Sequence, residues 1–338
     1  MRAYQLPKVG AGIEALARVE RPVPKPQYRQ VLVKIVACSL NFRDIGIVRG
    51  TYRLPVSANV IPLSDGAGEV IEVGDGVARV KVGDKVAGNF FQRWPGGDPS
   101  PKVQASALGG AIDGMLAEYA VLEEDGAVKI PEHLSVEEGA ALPCAGVTAW
   151  HAMMHHARLI AGQTMLLQGT GGVSIFALQF AHAMGITAIV TSSSDEKLKR
   201  AKALGAAHGI NYKMTPEWDK AAVEFTGSGG VDHVIEVGGA NTLTRSFGAI
   251  RTGGKISMVG GLSGGATELN PGLIFGKRAN VQGISVGSTQ MFEAMNAAIT
   301  ANKIKPVIDR VFGFDEVKAA YNHMAAGAHF GKIVIRVS

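Results

Sequence analysis

Residues 165–181 read MLLQGTGGVSIFALQFA, which is an apolar strand, a glycine-rich turn and an amphipathic helical pattern in direct succession. Glycines in such a turn allow a tight bend, and the N-terminus of the following helix offers free N–H groups and a positive dipole to a pyrophosphate. Ser174 replaces the third glycine of the G-x-G-x-x-G pattern and is still small enough for the helix to pack on the strand. An ordinary glycine-rich turn is the alternative, but this setting favours dinucleotide binding. The candidate residues are Gly169, Thr170, Gly171, Gly172 and Val173.

The alternation of elements around this turn predicts the fold class. Later in the chain, six apolar strands alternate with helical runs, which predicts a doubly wound parallel sheet of the α/β class. In the N-terminal third, short alternating strands such as QVLVKIVAC and VGDKVAGNF predict a β-rich domain. We therefore expect one domain over residues 1–125, completed by residues 303–338, and a nucleotide-binding domain over residues 126–302. The turn-rich segment from Phe90 to Met115 is predicted to be a long loop.

Length and composition limit the class of protein. The 338 residues are 46% hydrophobic and include 44 glycines, which suits two domains with a sizeable core. The net charge of +5 is dispersed, so a nucleic-acid surface is not indicated, and an anionic small molecule explains the surplus equally well. The sequence shows neither a membrane-length apolar run nor a signal peptide, and its two cysteines cannot staple a fold of this size. We expect a cytoplasmic protein without a membrane partner.

The strand that follows the glycine turn indicates which dinucleotide binds. An NAD site usually closes with an acidic residue at the end of this strand, but here the strand ends at Ser192. Ser193 and Glu196 are spaced as a capping box, which puts Asp195 in the first helical turn rather than at the ribose. Ser192 can then donate to a 2′-phosphate and Lys197 can approach it, although Lys197 could also be a solvated helix lysine. The sequence therefore predicts NADPH.

Three further stretches carry a family resemblance. They are ACSLNFRD (residues 37–44), IPLSDGAGEV (residues 61–70) and ALPCAGVTAW (residues 141–150). With the glycine turn, they make the chain similar over essentially its whole length to the medium-chain dehydrogenase/reductase superfamily, and within it to zinc-independent quinone oxidoreductases. The resemblance implies a GroES-like β-rich catalytic domain, a Rossmann doubly wound parallel sheet and a homodimer.

The metal positions of zinc-containing relatives are altered in this chain. The resemblance places Asn41 at the first cysteine ligand and Ser64 at the histidine ligand, and it leaves only Cys144 at the third. Because a catalytic zinc needs about three protein ligands, we expect no metal there. The cysteines that hold a structural zinc in the family are also missing from residues 90–115.

Three clustered histidines are the remaining metal hypothesis. The segment WHAMMHHA contains residues at i and i+4 that could face one metal ion. A carboxylate motif is missing nearby, and an amphipathic helix face is the alternative interpretation. The three residues are His151, His155 and His156.

The resemblance also assigns roles to single residues. In the similar quinone reductases, an asparagine of the Asn-Phe segment contacts the cofactor, and a tyrosine of the G-x-Y stretch lies close to the nicotinamide. These positions are Asn41 and Tyr52, our candidate catalytic residues, although Tyr52 could equally be an aromatic residue that lines the cleft. Weaker candidates for cofactor contact, from the resemblance or from a position at a strand end, could each be a turn or packing residue instead. They are Tyr212, Gly238, Gly260, Gly261, Phe330, Gly331 and Lys332.

The substrate class follows from chemistry without a metal. Hydride addition to a saturated ketone builds a full alkoxide, which usually calls for zinc or a positioned acid. In a quinone, an enone or an enoyl thioester, the charge spreads to an oxygen that hydrogen-bond donors can stabilise. Asn-Phe-Arg-Asp also resembles the form in enoyl reductase domains of fatty-acid and polyketide synthases. Asp44 and Asp65 are interpreted as structural, paired with donors such as Arg43.

These observations favour an NADPH-dependent, zinc-independent reductase of quinones or activated alkenes. Two alternatives stay open. The chain could be an NADP-dependent alcohol dehydrogenase with an unusual metal site, or it could bind NADPH in a structural or RNA-binding role.

Overall fold

The computed structural model describes residues 1–264 and 268–338. Its strands are β1 (Arg2–Gln5), β2 (Ala17–Glu20), β3 (Gln30–Ser39), β4 (Asp65–Val73), β5 (Lys85–Gly88), β6 (Tyr119–Glu123), β7 (Ala127–Lys129), β8 (Thr164–Gln168), β9 (Thr187–Ser192), β10 (His208–Asn211), β11 (Val231–Glu236), β12 (Ile250–Met258), β13 (Asn280–Gly283), β14 (Ile308–Gly313) and β15 (Lys332–Arg336).

The helices alternate with these strands through the middle of the chain. They are α1 (Phe42–Arg49), α2 (Pro101–Gln104), α3 (Val136–Ala140), α4 (Val147–Trp150), α5 (Gly172–Ala183), α6 (Asp195–Ala203), α7 (Trp218–Phe225), α8 (Leu243–Ala249), α9 (Pro271–Lys277), α10 (Thr289–Asn302) and α11 (Val317–Ala325). Short 3₁₀ helices cover Ile13–Ala15, Glu124–Gly126 and Phe314–Glu316, and π-helical turns cover Leu142–Gly146 and His151–Ala157. None of the helices in the described part of the chain has the length and apolar character that crossing a membrane requires.

The chain forms two compact units. The first comprises Met1–Val147 and Val286–Ser338, and the second comprises Thr148–Ser285. This division differs from the boundaries expected from the sequence, because β7 pairs with β5 in the first unit and α10 is joined to that strand through a hydrogen bond from Asn296 Nδ2 to the Lys129 carbonyl of 2.9 Å.

The first unit is built on a β-rich scaffold. Its main sheet has the strand order β14-β15-β3-β4-β5-β7, with β6 paired to β3, and a separate pair is formed by β1 and β2. The C-terminal strand β15 lies antiparallel to β3, with Ile335 opposite Cys38. Helix α1 follows β3 directly, so the end of this strand carries the Asn-Phe-Arg-Asp segment.

The segment from Phe90 to Met115 is anchored in the first unit by buried side chains at its start, whereas most of residues 95–105 are exposed. It is largely a loop, as the sequence predicts, with the single helical turn α2 within it, and its backbone closes on itself where Leu108 N donates to Phe90 O at 3.0 Å. Phe90, Phe91 and Trp94 are each 2% exposed. Their rings therefore anchor the segment within the core of the unit.

The second unit confirms the doubly wound parallel sheet. Its strand order is β10-β9-β8-β11-β12-β13, and every neighbouring pair is parallel. Apolar side chains of these strands, such as Leu166, Ile189 and Val234, are fully buried. They form one hydrophobic cluster with helix residues such as Phe247 of α8. All six carboxyl ends lie at one edge of the sheet, where ligands bind in this fold class.

Candidate active site

The glycine turn leads from β8 into α5. Gly169 has a φ of 71°, a conformation that residues with a side chain rarely adopt, and Gly171 precedes the helix in an extended conformation. Ser174 donates from Oγ to the Gln168 carbonyl at 2.7 Å, so its hydroxyl fixes the turn to the strand. Within the described residues no side chain caps α5. The first N–H groups of this helix are thus available to an anion.

Neighbouring strand ends bring further glycines to the same edge of the second unit. Gly238 and Gly239 follow β11, and Gly260 and Gly261 follow β12. These two turns are in close contact, because a Cβ atom on Gly239 would lie 2.9 Å from the Cα of Gly261. The predicted glycines of β11 and β12 therefore form one surface, as parallel neighbours require.

A buried carboxylate that the sequence analysis missed supports this surface. Glu236 is fully buried, and its Oε1 accepts hydrogen bonds of 2.8 Å from the backbone N–H groups of both Gly238 and Gly239. Its Oε2 accepts a hydrogen bond of 2.7 Å from Gln168 Nε2. Thr242 and Ser246 also donate their hydroxyls to Glu236. In the sequence, Glu236 stands in a run of apolar residues. The signal for its role was the presence of an acidic residue in a segment that has the pattern of a central strand.

The residues predicted to determine the preference for NADPH over NADH lie at the end of β9 and just after it. The expected capping box is wrong, because Ser194 and not Ser193 caps α6, accepting from the Lys197 N–H. Asp195 nevertheless lies in the first turn, where its Oδ1 accepts a 2.8 Å hydrogen bond from Asn211 Nδ2. Ser192 is 3% exposed and accepts from Ser194 N through its Oγ. The Asp195 carboxylate is thus hydrogen-bonded to an amide.

The other residues expected at this end lie beside Ser192. Tyr212 follows β10, donates its backbone N–H to the Ser192 carbonyl at 3.0 Å and is 42% exposed. Lys197 lies in the first turn of α6 and is half-buried. The structure therefore places Ser192, Lys197 and Tyr212 around one strand end.

In the first unit, Asn41 lies at the N-terminus of α1. Its backbone N–H donates to Asp44 Oδ2 at 2.8 Å, which fixes the start of the helix, and Gly50 ends the helix with a φ of 77°. The carboxamide Oδ1 accepts a 2.6 Å hydrogen bond from Lys332 Nζ. Asn41 Nδ2 is buried and has no hydrogen-bond partner among the described residues. An unpaired buried donor is unfavourable, so this atom fits an acceptor supplied by a ligand.

Tyr52 lies beside α1 in contact with Arg43. The Arg43 guanidinium lies 4.9 Å from the centre of the Tyr52 ring and 4.5 Å from that of Phe90. Burial raises the pKa of the Tyr52 phenol, while the Arg43 charge partly opposes this effect. The phenol therefore stays protonated at neutral pH and can act as a donor.

The aspartates of the site are structural, but their partners differ from the expected one. Arg43 does not bond to Asp44. It donates instead to the carbonyls of Leu108 and Gly109, at 2.8 and 3.2 Å. Burial raises the pKa of the Asp44 carboxyl to about 6, against the lowering effects of Arg43 and of the Asn41 N–H.

Asp65 and Lys332 form a buried ion pair next to Asn41. Lys332 Nζ lies 3.6 Å from Asp65 Oδ2 and donates to the Leu40 carbonyl at 2.7 Å. Asp65 also accepts from Ser64 Oγ at 2.8 Å and from Cys144 N at 3.2 Å. Three protein acceptors therefore surround the Lys332 ammonium group. The sequence predicted that Lys332 contacts the cofactor directly, whereas in the structure its ammonium group contacts these protein atoms.

The two residues before Lys332 are held by packing. Phe330 is 1% exposed, and its backbone N–H donates to Asp309 Oδ1 at 3.1 Å. Gly331 has a φ of 84° and directs the chain into β15. In this unit the Phe330 ring is part of the interior.

The residues at the zinc-ligand positions do not fit a catalytic zinc ion. An amide, a hydroxyl and one thiol occupy them, and this set does not supply the N, S or O ligands, about three in number, that a catalytic zinc ion requires. The Lys332 ammonium between Asn41 and Asp65 adds a repelling charge. No group of three or more His, Cys, Asp or Glu side chains within residues 1–264 and 268–338 could hold a metal.

Of the three clustered histidines, His156 takes part in a hydrogen-bond network with His233 of β11. His156 Nδ1 and His233 Nε2 contact the same Ser257 Oγ, at 2.7 and 2.8 Å, and His156 Nε2 contacts Asn280 Oδ1 at 3.0 Å. Burial lowers the pKa of both histidines, that of His233 to about 3. They form a neutral polar network inside the second unit.

Comparisons with known proteins agree with this architecture. A family model described as "Alcohol dehydrogenase GroES-like domain" matches residues 27–132, and one described as "Zinc-binding dehydrogenase" matches residues 172–301. A zinc-type alcohol dehydrogenase-like protein of Schizosaccharomyces pombe is 46% identical over 97% of this chain and 96% of its own length. The quinone oxidoreductase of Homo sapiens is 29% identical over 99% of this chain and 97% of its own length. A solved NAD-dependent alcohol dehydrogenase has a TM-score of 0.90 at 30% identity, with 100% of both chains covered.

Proposed function

Because the chain belongs to the medium-chain dehydrogenase/reductase superfamily, we propose that it is an oxidoreductase that uses NADPH to reduce quinones or activated alkenes without a catalytic zinc ion. The observation that carries the proposal is the buried, unpaired Nδ2 donor of Asn41 at a position where similar dehydrogenases have a zinc ligand. A donor of this kind can stabilise a delocalised oxyanion, which is what a conjugated acceptor develops.

The second unit supports a nicotinamide dinucleotide as the cofactor. The glycine turn and the uncapped start of α5 suit its pyrophosphate, and the bound cofactor supplies a hydride at the nicotinamide. NADPH is favoured over NADH because Ser192 ends β9 where NAD sites have an acid, and because Asp195 is engaged by Asn211. Lys197 and Tyr212 beside this strand end suit a 2′-phosphate.

In the first unit, Asn41 and Tyr52 are the candidate catalytic residues. When a hydride adds to the conjugated carbon of an enone, a C–H bond forms and the π electrons move to the carbonyl oxygen. Asn41 Nδ2 can hydrogen-bond that oxygen, or the cofactor ribose, and the Tyr52 phenol can donate a proton to the product. Neither role requires a Lewis acid.

An alcohol dehydrogenase is the second candidate, and the name of the Schizosaccharomyces pombe relative favours it. Its chemistry would need a strong acid or a metal at the carbonyl oxygen of an aldehyde or ketone. The side chains at Asn41, Ser64 and Cys144 do not provide the ligands for that metal.

The deciding experiment is NADPH consumption in excess chelator with four acceptors: an ortho-quinone, a simple enone, crotonyl thioester and a plain aldehyde. We expect turnover of at least one conjugated acceptor and none of the aldehyde. NADH in place of NADPH should give a higher KM. Activity that is absent in chelator and restored by zinc would contradict the proposal and support the alcohol dehydrogenase.

Two variants connect that activity to the site. N41A should lower kcat by about 100-fold, since it removes the donor to the oxyanion, whereas Y52F should lower it only if the phenol is the proton donor. The matched control is N302A, which removes an exposed asparagine from the end of α10. Equal activity of N41A and N302A would contradict the role of Asn41.

Edge strand β13 supports a homodimer as the assembly. It pairs only with β12 among the described strands, and most of its residues are exposed. Phe275 of the preceding helix α9 is 86% exposed. Pairing of two β13 strands would extend the sheet and cover this apolar side chain. A monomer in sedimentation at micromolar concentration would contradict it.

A further inference from the structure

One buried ion pair connects the three residues at the zinc-ligand positions. The Lys332 ammonium donates to Asn41 Oδ1 at 2.6 Å and lies 3.6 Å from Asp65 Oδ2. Asp65 in turn accepts from Ser64 Oγ and from the Cys144 N–H. A cation is therefore hydrogen-bonded directly to the candidate catalytic amide, and a carboxylate on its other side links it to the remaining two positions.

Stability alone does not explain this pair. The side chains of Lys332 and Asp65 are 3% and 0% exposed, so both charges are removed from water. Replacing a buried ion pair with apolar residues of similar volume is often neutral or stabilising, because desolvation offsets the attraction. The pair therefore calls for a role beyond holding β15 against β4.

The hydrogen bond from Lys332 determines what Asn41 can do. The ammonium group has only donors, so the carboxamide must present its oxygen to Lys332 and its Nδ2 away from it. A charge-assisted hydrogen bond at Oδ1 also polarises the amide, which makes its N–H groups stronger donors. The Nδ2 atom thus oriented is the one that lacks a partner among the described residues.

We infer that Lys332 is a positioning residue that acts through Asn41: it orients and strengthens the hydrogen bond that Asn41 gives to the developing oxyanion of the acceptor. The inference rests on the proposed function. Through the Asn41 amide, Lys332 thereby supplies part of the positive charge that a metal ion would supply by direct contact. Asp65, 3.6 Å from the ammonium group, compensates its charge and holds it behind the amide.

The test uses the full chain with NADPH and a series of enones or quinones that differ in electron-withdrawing substituents. D65N/K332M removes both charges together, so no single charge is left buried. K332R keeps the charge, and K332Q keeps a neutral donor if the double variant does not fold. Each is compared with wild type and with N41A by the single-turnover rate of NADPH oxidation and by the Kd of NADPH.

We expect D65N/K332M to slow hydride transfer by about 10- to 100-fold, most for electron-rich acceptors, which hold negative charge least well. The Kd of NADPH should stay unchanged, K332R should recover part of the rate, and K332Q should lose most of it. Because Lys332 acts through Asn41, adding D65N/K332M or K332Q to N41A should cause no further loss.

Several results would overturn the inference. They are a wild-type rate in a folded D65N/K332M or K332Q variant, an equal loss for every acceptor in the series, and losses that multiply with that of N41A. If wild type reduces a conjugated acceptor in chelator but one of these results appears, only the role of Lys332 fails. If wild type reduces none of the acceptors, the proposed function fails and this inference fails with it.

Discussion

Asp65 of the first unit and Glu236 of the second are both fully buried carboxylates, yet their surroundings differ in kind. Asp65 has a cation nearby, since the Lys332 ammonium lies 3.6 Å from its Oδ2. Among the described residues, the hydrogen bonds at Glu236 come from neutral groups, namely backbone N–H groups, two hydroxyls and the amide of Gln168. The first carboxylate is stabilised by an opposite charge and the second by dipoles.

This difference follows the task that we propose for each unit. Beside Glu236, the donors are the backbone of the turn after β11, so the carboxylate shapes a surface without leaving a net positive group nearby. In the first unit, the Asp65 carboxylate compensates the charge of a buried lysine next to Asn41. A cation is useful where an oxyanion develops, and a rigid backbone is useful where a dinucleotide binds.

The largest expected effect comes from leaving one charge of the Asp65–Lys332 pair without the other. D65N and K332M should each lower the free energy of unfolding by about 3 to 5 kcal/mol, because each leaves a buried charge uncompensated. D65N/K332M should lose less than the sum of the two, which a double-mutant cycle in urea measures. The matched control K34M removes an exposed lysine from β3 and should change stability little. Additive losses would mean that the two charges do not interact. The contrast with Glu236, in which Asp65 is the carboxylate stabilised by an opposite charge, would then be wrong.

A smaller effect is expected from E236Q, which keeps the shape but replaces one acceptor oxygen with an NH₂ group. Both carboxylate oxygens accept from at least two donors, so whichever position the NH₂ occupies faces other donors. We expect E236Q to lower the free energy of unfolding, measured in urea, by about 2 to 3 kcal/mol and to raise the Kd of NADPH.

The control for that measurement is E224Q, which changes an exposed glutamate at the end of α7. A stability of E236Q equal to that of E224Q would mean that the donors around Glu236 reorient freely. The account of Glu236 as the group that fixes the turn would then be wrong.

The sequence was sufficient where the pattern is local. The alternation of strands and helices and the glycine turn at Gly169 can be read along the chain, because they depend on periodicity and on residue type. The substitution of the zinc-ligand residues is instead what the family resemblance implies.

The sequence was insufficient where partners are distant in the chain. Lys332 contacts Asn41 and Asp65 because β15 pairs with β3; the sequence places residues 303–338 in the first domain but indicates neither that partner strand nor its register. The cap of α6 at Ser194 instead of Ser193 is an error of one residue in a run of serines. The sequence suggests Arg43 as a donor to Asp44 and Asp65, whereas the fold brings the carbonyls of Leu108 and Gly109 to this arginine.

The smallest expected effect is a pH dependence of opposite sign in the two units. The pKa of Asp44 is about 6 in the folded chain and about 3.9 in an unfolded one. The folded state therefore holds this proton more tightly, and the stability that Asp44 contributes falls as pH rises from about 4 to about 6. Burial holds the pKa of His233 at about 3, against about 6.5 when unfolded, so its contribution falls as pH decreases below about 6.5.

D44N and H233Q make the two contributions measurable, because each removes one titrating group and leaves the rest of the chain as a common background. From pH 5 to pH 6.5, the stability of wild type relative to D44N should fall by about 1 kcal/mol, whereas its stability relative to H233Q should rise by about 2 kcal/mol. Urea unfolding at three or four pH values checks both. If the stability of wild type relative to D44N and its stability relative to H233Q changed with pH in the same direction, burial would shift the protonation of the acid and of the base in the same direction. Desolvation of a charged form does not permit this.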